Sequence, residues 1–182
     1  TVEQGSRVFA ELDEALEWVE ERILKDNNFD RLHESLLDLR ELDIFKGRRE
    51  QTLADLEACM EPRTVKAGDR LFSLGDSSDE LYLIRRGAIR IMQPLKRNQG
   101  HHLATFNRGD FFGEMSFLDR EQRSADAYAE RDTELFVLSR TAFDAFAANH
   151  KKVAMGLMEG LARTLSLRLR FTNTELRRLE DG

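Results

Sequence analysis

The sequence is poor in several features that define whole classes of protein. Cys59 is its only cysteine among 182 residues, so no disulfide can form within the chain and a reducing, cytoplasmic setting is expected. Lys and Arg number 28 against 34 Asp and Glu, and the resulting net charge of -6 does not favour nucleic acid as a partner. No apolar run approaches the roughly 20 residues that a transmembrane helix needs. We therefore expect neither nucleic-acid binding nor direct insertion of this chain into a membrane.

Motifs of catalysis and metal binding are also missing. His33-Glu34 lacks the second histidine of a zinc hydrolase helix, and no Gly-x-Ser-x-Gly or Walker-type sequence occurs. His101 and His102 have no cysteine or third histidine nearby in the sequence, so we interpret them as the polar start of a strand. The sequence thus predicts no enzyme, no catalytic residue, no metal site and no cofactor.

The first third of the chain has helical periodicity. Apolar residues recur every three or four positions from Val8 to Lys25, continue to Leu39, and recur again from Gln51 to Met60. We assign 1–40 to an N-terminal helical segment, either a linker or the tail of a preceding domain. Because the sequence starts at Thr1 without a capping signal, we expect it to be part of a longer protein.

From Thr64 the pattern changes to short apolar runs separated by turns, which is typical of antiparallel β structure. The expected strands are Leu71 to Leu74, Leu81 to Arg85, Ala88 to Met92, His102 to Phe106, Arg123 to Ala129 and Leu135 to Leu138. Helical spacing returns from Thr141 to Phe146 and then in a leucine ladder from Val153 to Leu169. The fold class is therefore α+β: a jelly-roll-like antiparallel β-roll over 41–149, with N-terminal helices and a long C-terminal helix in 150–182.

One stretch between the strands, residues 112–125, has the composition of a phosphate site. A glycine, Gly113, lets the backbone approach a ligand, and a short helix begins directly after it. Arg123 can grip two phosphate oxygens, and the Ser124 hydroxyl can donate a further hydrogen bond. A carboxylate cannot bind phosphate, so Glu114 is best explained as the acceptor for a sugar hydroxyl. Phosphate and ribose together indicate a nucleotide.

These residues resemble the phosphate-binding cassette of the cyclic nucleotide-binding domain family, in Phe112-Gly113-Glu114-Met115-Ser116 and Arg123-Ser124-Ala125. The resemblance implies that Glu114 holds the ribose 2′-hydroxyl, that Arg123 pairs with the cyclic phosphate, and that Gly113, Met115 and Ser116 lend backbone donors. It also implies that Ser124 hydrogen-bonds the ligand and that Leu103 packs on the purine. The expected ligand is cAMP, with cGMP as the alternative, since Thr in place of Ser124 often accompanies guanine selectivity. This chain differs from the usual family residues at three positions, with Ser116 where Ala is common, Phe117 where Leu is common and Gln122 where Pro is frequent. Gly113, Glu114 and Arg123 match the family pattern.

The same resemblance makes the last helix a lid over the purine or a helix that pairs with a second copy, so a homodimer is expected. A separate segment, Ser6 to Trp18, resembles the closing helix of STAS domains at the cytoplasmic end of sulfate-permease-type transporters. It implies a regulatory tail at the cytoplasmic face of the inner membrane, tethered through the rest of a transporter.

Two plainer interpretations stay open. Glu114 and Arg123 can be an ordinary surface ion pair, which contributes little. The whole roll can also be a ligand-free module for protein interaction or dimerisation in a larger protein. Phe111 and Phe112 are expected in the core.

Overall fold

The computed structural model describes residues 35–47, 49–94 and 100–180. Two short 3-10 helices, Leu39–Glu41 and Asp43–Phe45, precede α1 (Glu50–Glu57). Eight strands follow: β1 (Glu61–Val65), β2 (Arg70–Phe72), β3 (Leu81–Arg86), β4 (Ala88–Pro94), β5 (Gly100–Asn107), β6 (Phe111–Phe112), β7 (Asp126–Ala129) and β8 (Thr133–Leu138). The remaining helices are α2 (Glu114–Asp119), between β6 and β7, and α3 (Arg140–Asn149) and α4 (Lys151–Glu180) after the last strand.

The strands form two four-stranded antiparallel sheets, one in the order β1-β8-β3-β6 and the other in the order β2-β7-β4-β5. Strands β4 and β5 are consecutive in the sequence, whereas all other neighbouring strands are distant in it, because the chain passes repeatedly from one sheet to the other. This arrangement of antiparallel sheets with a long C-terminal helix confirms the predicted β-roll.

Strand β3 separates the two parts of the hydrophobic core. Tyr82 and Ile84 point between the sheets, where they pack with Phe72 and Phe112. Leu81 and Leu83 point the other way, into a cluster that includes residues of α1, α3 and α4. Successive side chains of a strand face opposite sides, so a strand that is covered on both faces needs a continuous apolar run.

The long helix α4 packs on this second cluster only near its start. Ala154, Leu157 and Leu161 are buried there. Gly160 allows a close approach, because a Cβ at that position would lie 2.5 Å from Cγ1 of Ile44. Beyond Arg168 the described side chains of the helix are exposed. Among the described helices, including α4, none is long and apolar enough to cross a membrane.

Several predicted boundaries are wrong. The strand expected from Arg123 begins only at Asp126, because the backbone of Arg123 bonds instead to the turn at Gly75 and Asp76. The pattern also gives no sign of β1, an edge strand that contains Pro62, a residue that edges tolerate. Helical spacing up to Leu39 corresponds in part to 3-10 turns. The predicted helix from Val8 and the STAS-like segment lie outside the described residues.

Candidate anion-binding site

The site is built where β6 ends and α2 begins. Gly113, between them, has φ of 76°, a left-handed conformation that favours glycine. A Cβ at this position would lie 2.8 Å from Nη1 of Arg123 and 2.9 Å from the carbonyl oxygen of Glu80. The backbone at Gly113 is therefore packed directly against the Arg123 guanidinium.

Arg123 is 2% exposed, which is rare for an arginine. Its Nη1 donates to the Gly113 carbonyl at 3.0 Å, and its Nη2 donates to the Ser78 hydroxyl at 2.8 Å and the Glu80 carbonyl at 2.9 Å. The guanidinium carbon lies 4.3 Å from the centre of the Phe72 ring. Among the described residues, no group accepts a hydrogen bond from its buried Nε.

Desolvation dominates the electrostatics of Arg123, because burial lowers the pKa of its guanidinium. None of the acceptors bonded to it, two carbonyls and one hydroxyl, carries a full negative charge. A buried cation that lacks a directly bonded carboxylate and keeps a spare N–H is a candidate partner for an anion.

A second network holds the acceptors of Arg123 in place. The carboxylate of Glu80 accepts hydrogen bonds from the hydroxyls of Tyr82 and Ser78 and from Arg63. Burial alone would raise the pKa of Glu80, but the hydrogen bonds from Tyr82 and Arg63 outweigh it and hold that pKa below its ordinary value. Burial and the bond to Glu80 raise the pKa of Tyr82 to about 12. Ser78 thus links the guanidinium of Arg123 to an ionised carboxylate through one hydroxyl.

Glu114, the first residue of α2, is also buried, with 7% of its surface exposed. Its Oε1 accepts a hydrogen bond of 2.6 Å from Nη1 of Arg168 on α4. Arg168 also donates to the Phe111 carbonyl at 2.8 Å, and its guanidinium carbon lies 4.2 Å from the centre of the Phe106 ring. The described residues make no hydrogen bond to Oε2 of Glu114. Sequence reasoning missed Arg168, since nothing in the leucine ladder around it signals contact with a residue 54 positions away.

The alternative of a surface ion pair between Glu114 and Arg123 is wrong. Both side chains are buried, and Glu114 pairs with Arg168 instead. The expectation that Phe111 and Phe112 are core residues is confirmed, since they are 6% and 1% exposed.

The other predicted site residues surround these two charges. Ser124 Oγ lies 3.6 Å from Sδ of Met115, and Met115 is half exposed. The Ser116 side chain is buried, and its carbonyl accepts the Arg120 N–H. Leu103 on β5 is half exposed. The structure therefore brings together Gly113, Glu114, Met115, Ser116, Arg123 and Ser124.

Two cavities flank the cassette. One of about 540 Å³ lies beside α4, with Phe111 and Arg168 in its wall. The other, of about 400 Å³, is lined by Ser78 and Gln122 among others. Within the residues that the structure covers, no group of three or more His, Cys, Asp or Glu side chains is placed to hold a metal ion. The arrangement therefore offers a buried cation, Arg123, and a buried carboxylate, Glu114, close to one another.

Comparison with known proteins relates the chain to cyclic nucleotide-binding domains. The sequence profile of the cyclic nucleotide-binding domain matches residues 62–150. The solved structure of the Thermus thermophilus catabolite activator protein is similar with a TM-score of 0.65 and 34% identity, over 75% of this chain and 62% of that one. A cyclic nucleotide-binding domain from Methylobacillus flagellatus KT has a TM-score of 0.67 and 26% identity, over 79% of each chain.

Glutaminase 1 of Bradyrhizobium diazoefficiens is 32% identical over 171 residues, which are 93% of this chain and 27% of the glutaminase. The chain thus spans about a quarter of the length of this relative.

Proposed function

Residues 62–150 belong to the cyclic nucleotide-binding domain family, and from this we propose that the chain is a regulatory sensor that binds cAMP in preference to cGMP. In this proposal the chain performs no chemistry on the nucleotide, which leaves unchanged. The proposal names Gly113, Glu114 and Arg123 as the centre of the ligand site.

The state of Arg123 is the observation that carries this proposal. A buried guanidinium with an unpaired Nε and no directly bonded carboxylate is costly unless an anion completes it. A cyclic phosphate has one negative charge and two free oxygens, and it matches the hydrogen-bonding fork of an arginine. Glu114, nine residues earlier, offers its Oε2 to the ribose 2′-hydroxyl.

The proposed preference for cAMP rests on the exposed residues Ser124, Met115 and Leu103. Ser124 stands beside Met115 with its hydroxyl directed at a weak sulfur acceptor, so that hydroxyl is available to a ligand. The exposed apolar side chains of Met115 and Leu103 offer surfaces on which a purine can pack. Family resemblance links a serine at position 124 with adenine rather than guanine.

We further propose that α4 transmits binding. Arg168 ties this helix to Glu114, while the described side chains of the helix beyond Arg168 are exposed. A ligand whose ribose bonds to Glu114 acts on the same carboxylate that holds α4, so its affinity differs between helix positions and shifts their populations. The similarity to one part of a glutaminase supports a module joined to an effector in a longer protein.

The test is calorimetric titration of the chain with cAMP and then cGMP, after checking that no nucleotide has co-purified. We expect a Kd for cAMP that is micromolar or tighter, about -8 kcal/mol, and a weaker one for cGMP. Arg123→Leu should lower the affinity at least about 100-fold, because it removes a buried partner of the phosphate. Arg123→Lys keeps the positive charge but loses the paired N–H donors of the guanidinium. Its affinity should therefore lie between those of the unaltered chain and Arg123→Leu.

The matched control is Arg70→Leu, which removes an exposed arginine of β2. It should bind like the unaltered chain, and circular dichroism should show all variants folded. Equal affinity in Arg123→Leu, or no heat with either nucleotide on an empty and folded chain, would reject the sensor.

A second candidate, a ligand-free interaction module, is favoured by one observation. Leu167, Leu169 and Phe171 on α4 are each more than 60% exposed, which is unusual for large apolar side chains on one helix. This candidate predicts a concentration-dependent dimer without nucleotide affinity, so the same titration separates the two.

A further inference from the structure

The cassette helix α2 is held at both ends by arginines from the helices that follow the roll. Arg168 of α4 binds Glu114 at its first residue. At its other end, Nη1 of Arg140, the first residue of α3, donates to the Phe117 carbonyl at 2.8 Å. The last carbonyls of a helix have no partner within it, so this bond satisfies one of them.

Asp144 extends this second contact into a small network. Its Oδ1 accepts from Nε of Arg140 and its Oδ2 from Nη2 of Arg120, each at 2.9 Å. Arg120 follows α2 directly and has φ of 63°, the only positive value among the non-glycine residues that the structure describes. The carboxylate of Asp144 therefore bonds both to Arg120, which directly follows α2, and to Arg140, which donates to a carbonyl in the last turn of α2.

The packing below this network is tight. The Arg140 guanidinium carbon lies 5.5 Å from the centre of the Phe117 ring and 5.8 Å from that of Phe143. These two rings contact each other edge to face, with centroids 5.4 Å apart, and both are buried. Since α2 has only six residues, its position depends on such contacts rather than on its own hydrogen bonds.

We infer that Arg140 is a positioning residue for the ligand site: with Asp144 it fixes α2 to α3 and thereby sets where Glu114 stands. This inference rests on the proposed function, because it gives the contact its meaning for nucleotide affinity. The described hydrogen bonds of Arg140 go to Asp144, Phe117 and Leu118, so it acts through α2.

The test uses Arg140→Met, which removes the guanidinium and keeps an unbranched stem over Phe117. Its matched control is Arg163→Met on α4, where the lost ion pair, with Glu159, is 3.8 Å long and exposed. Arg140→Lys serves as the conservative variant, because an ammonium can still donate to the Phe117 carbonyl. Asp144→Asn removes the charge that joins Arg140 to Arg120.

The first measurement is hydrogen exchange of the Phe117 and Arg120 amides without nucleotide. The Phe117 amide donates to the Gly113 carbonyl, and the Arg120 amide donates to the Ser116 carbonyl, so both report on the hydrogen bonds of α2. We expect exchange about 10-fold faster in Arg140→Met and Asp144→Asn, no change in Arg163→Met, and partial recovery in Arg140→Lys. Unchanged exchange in Arg140→Met would overturn the inference, whatever the nucleotide result.

The second measurement is cAMP affinity at a temperature where every variant is folded. A merely structural role leaves the Kd of folded protein unchanged, whereas positioning predicts a Kd about 10-fold weaker in Arg140→Met and recovery towards the original value in Arg140→Lys. An unchanged Kd in Arg140→Met overturns the inference while the proposed function stands. If the unaltered chain binds no cyclic nucleotide, the proposed function fails, and the exchange measurement alone decides whether Arg140 holds α2.

Discussion

Oε1 of Glu114 and Nη1 of Arg168 lie 2.6 Å apart, and this contact joins the cassette helix to the middle of the long C-terminal helix. Glu114 is almost fully buried, while Arg168 reaches it across Phe106 and Phe111. Because a carboxylate has two oxygens, Arg168 can orient the group while the other oxygen accepts a hydrogen bond from a sugar. The contact with Arg168 is therefore compatible with the proposed bond from a ribose hydroxyl to Glu114.

This compatibility predicts the effect of removing Arg168. Arg168→Met should weaken cAMP binding about 10-fold, since the carboxylate of Glu114 loses the partner that orients it. Arg168→Lys should restore only part of the cAMP affinity, because an ammonium lacks the second donor nitrogen with which the guanidinium also reaches the Phe111 carbonyl. Calorimetry on folded variants measures both. Tighter binding in Arg168→Met would mean that Arg168 competes with the ligand for Glu114.

Gly113 allows a prediction with an internal control. Gly113→Ala combines a strained φ with contacts of 2.8 to 3.0 Å from the new Cβ to Arg123, Glu80 and Tyr82. We expect a loss of about 3 kcal/mol in the free energy of unfolding, together with loss of nucleotide binding as the guanidinium is displaced. Gly68→Ala has a similar φ of 87° with nothing within 4 Å of its Cβ, so it should cost only about 1 kcal/mol and leave binding intact.

Urea unfolding and calorimetry on both alanine variants make the comparison. If Gly113→Ala costs no more than Gly68→Ala, the close packing against Arg123 is not important.

Features formed by residues that are close together in the sequence were easier to predict than contacts between distant residues. The run from Leu81 to Ile84 and the motif from Gly113 to Arg123 are contiguous, so periodicity and residue chemistry were enough to find them. The links from Arg168 to Glu114 and from Arg140 to Phe117 join distant positions, and ordinary surface arginines look the same in a sequence. The strand at Asp126 also starts later than the sequence pattern predicts, because the backbone of Arg123 bonds to the turn at Gly75 and Asp76.

Tyr82 predicts how stability depends on alkaline pH. Its pKa is raised from 10.0 to about 12, by burial and by its bond to Glu80. A group with a raised folded-state pKa contributes stability that is complete below the unfolded pKa and is lost as the pH rises through the folded one. We expect this contribution, roughly 2 kcal/mol, to disappear between about pH 10 and pH 12.

The measurement is urea unfolding across that alkaline range, in the unaltered chain and in Tyr82→Phe. Other groups titrate there in both proteins, so only the difference between the two curves reports Tyr82. We expect the curves to converge as the pH rises, and a constant difference would contradict the assigned burial of the phenol.

The exposed apolar residues of α4 predict self-association. Leu169 continues the spacing of the buried Leu157 and Leu161 along the helix, yet it is 62% exposed, and Phe171 is 69% exposed. Burying such side chains against a second copy would remove apolar surface from water, at about 25 cal/mol per Å². Sedimentation equilibrium should show a dimer. Leu169→Glu or Phe171→Glu should weaken the association at least about 10-fold, because either substitution places a charge in the proposed dimer interface. The control Leu74→Glu, on an exposed turn of the roll, should leave the dimer intact. A monomer at all concentrations in the unaltered chain would instead leave α4 as a helix that acts only on its own roll.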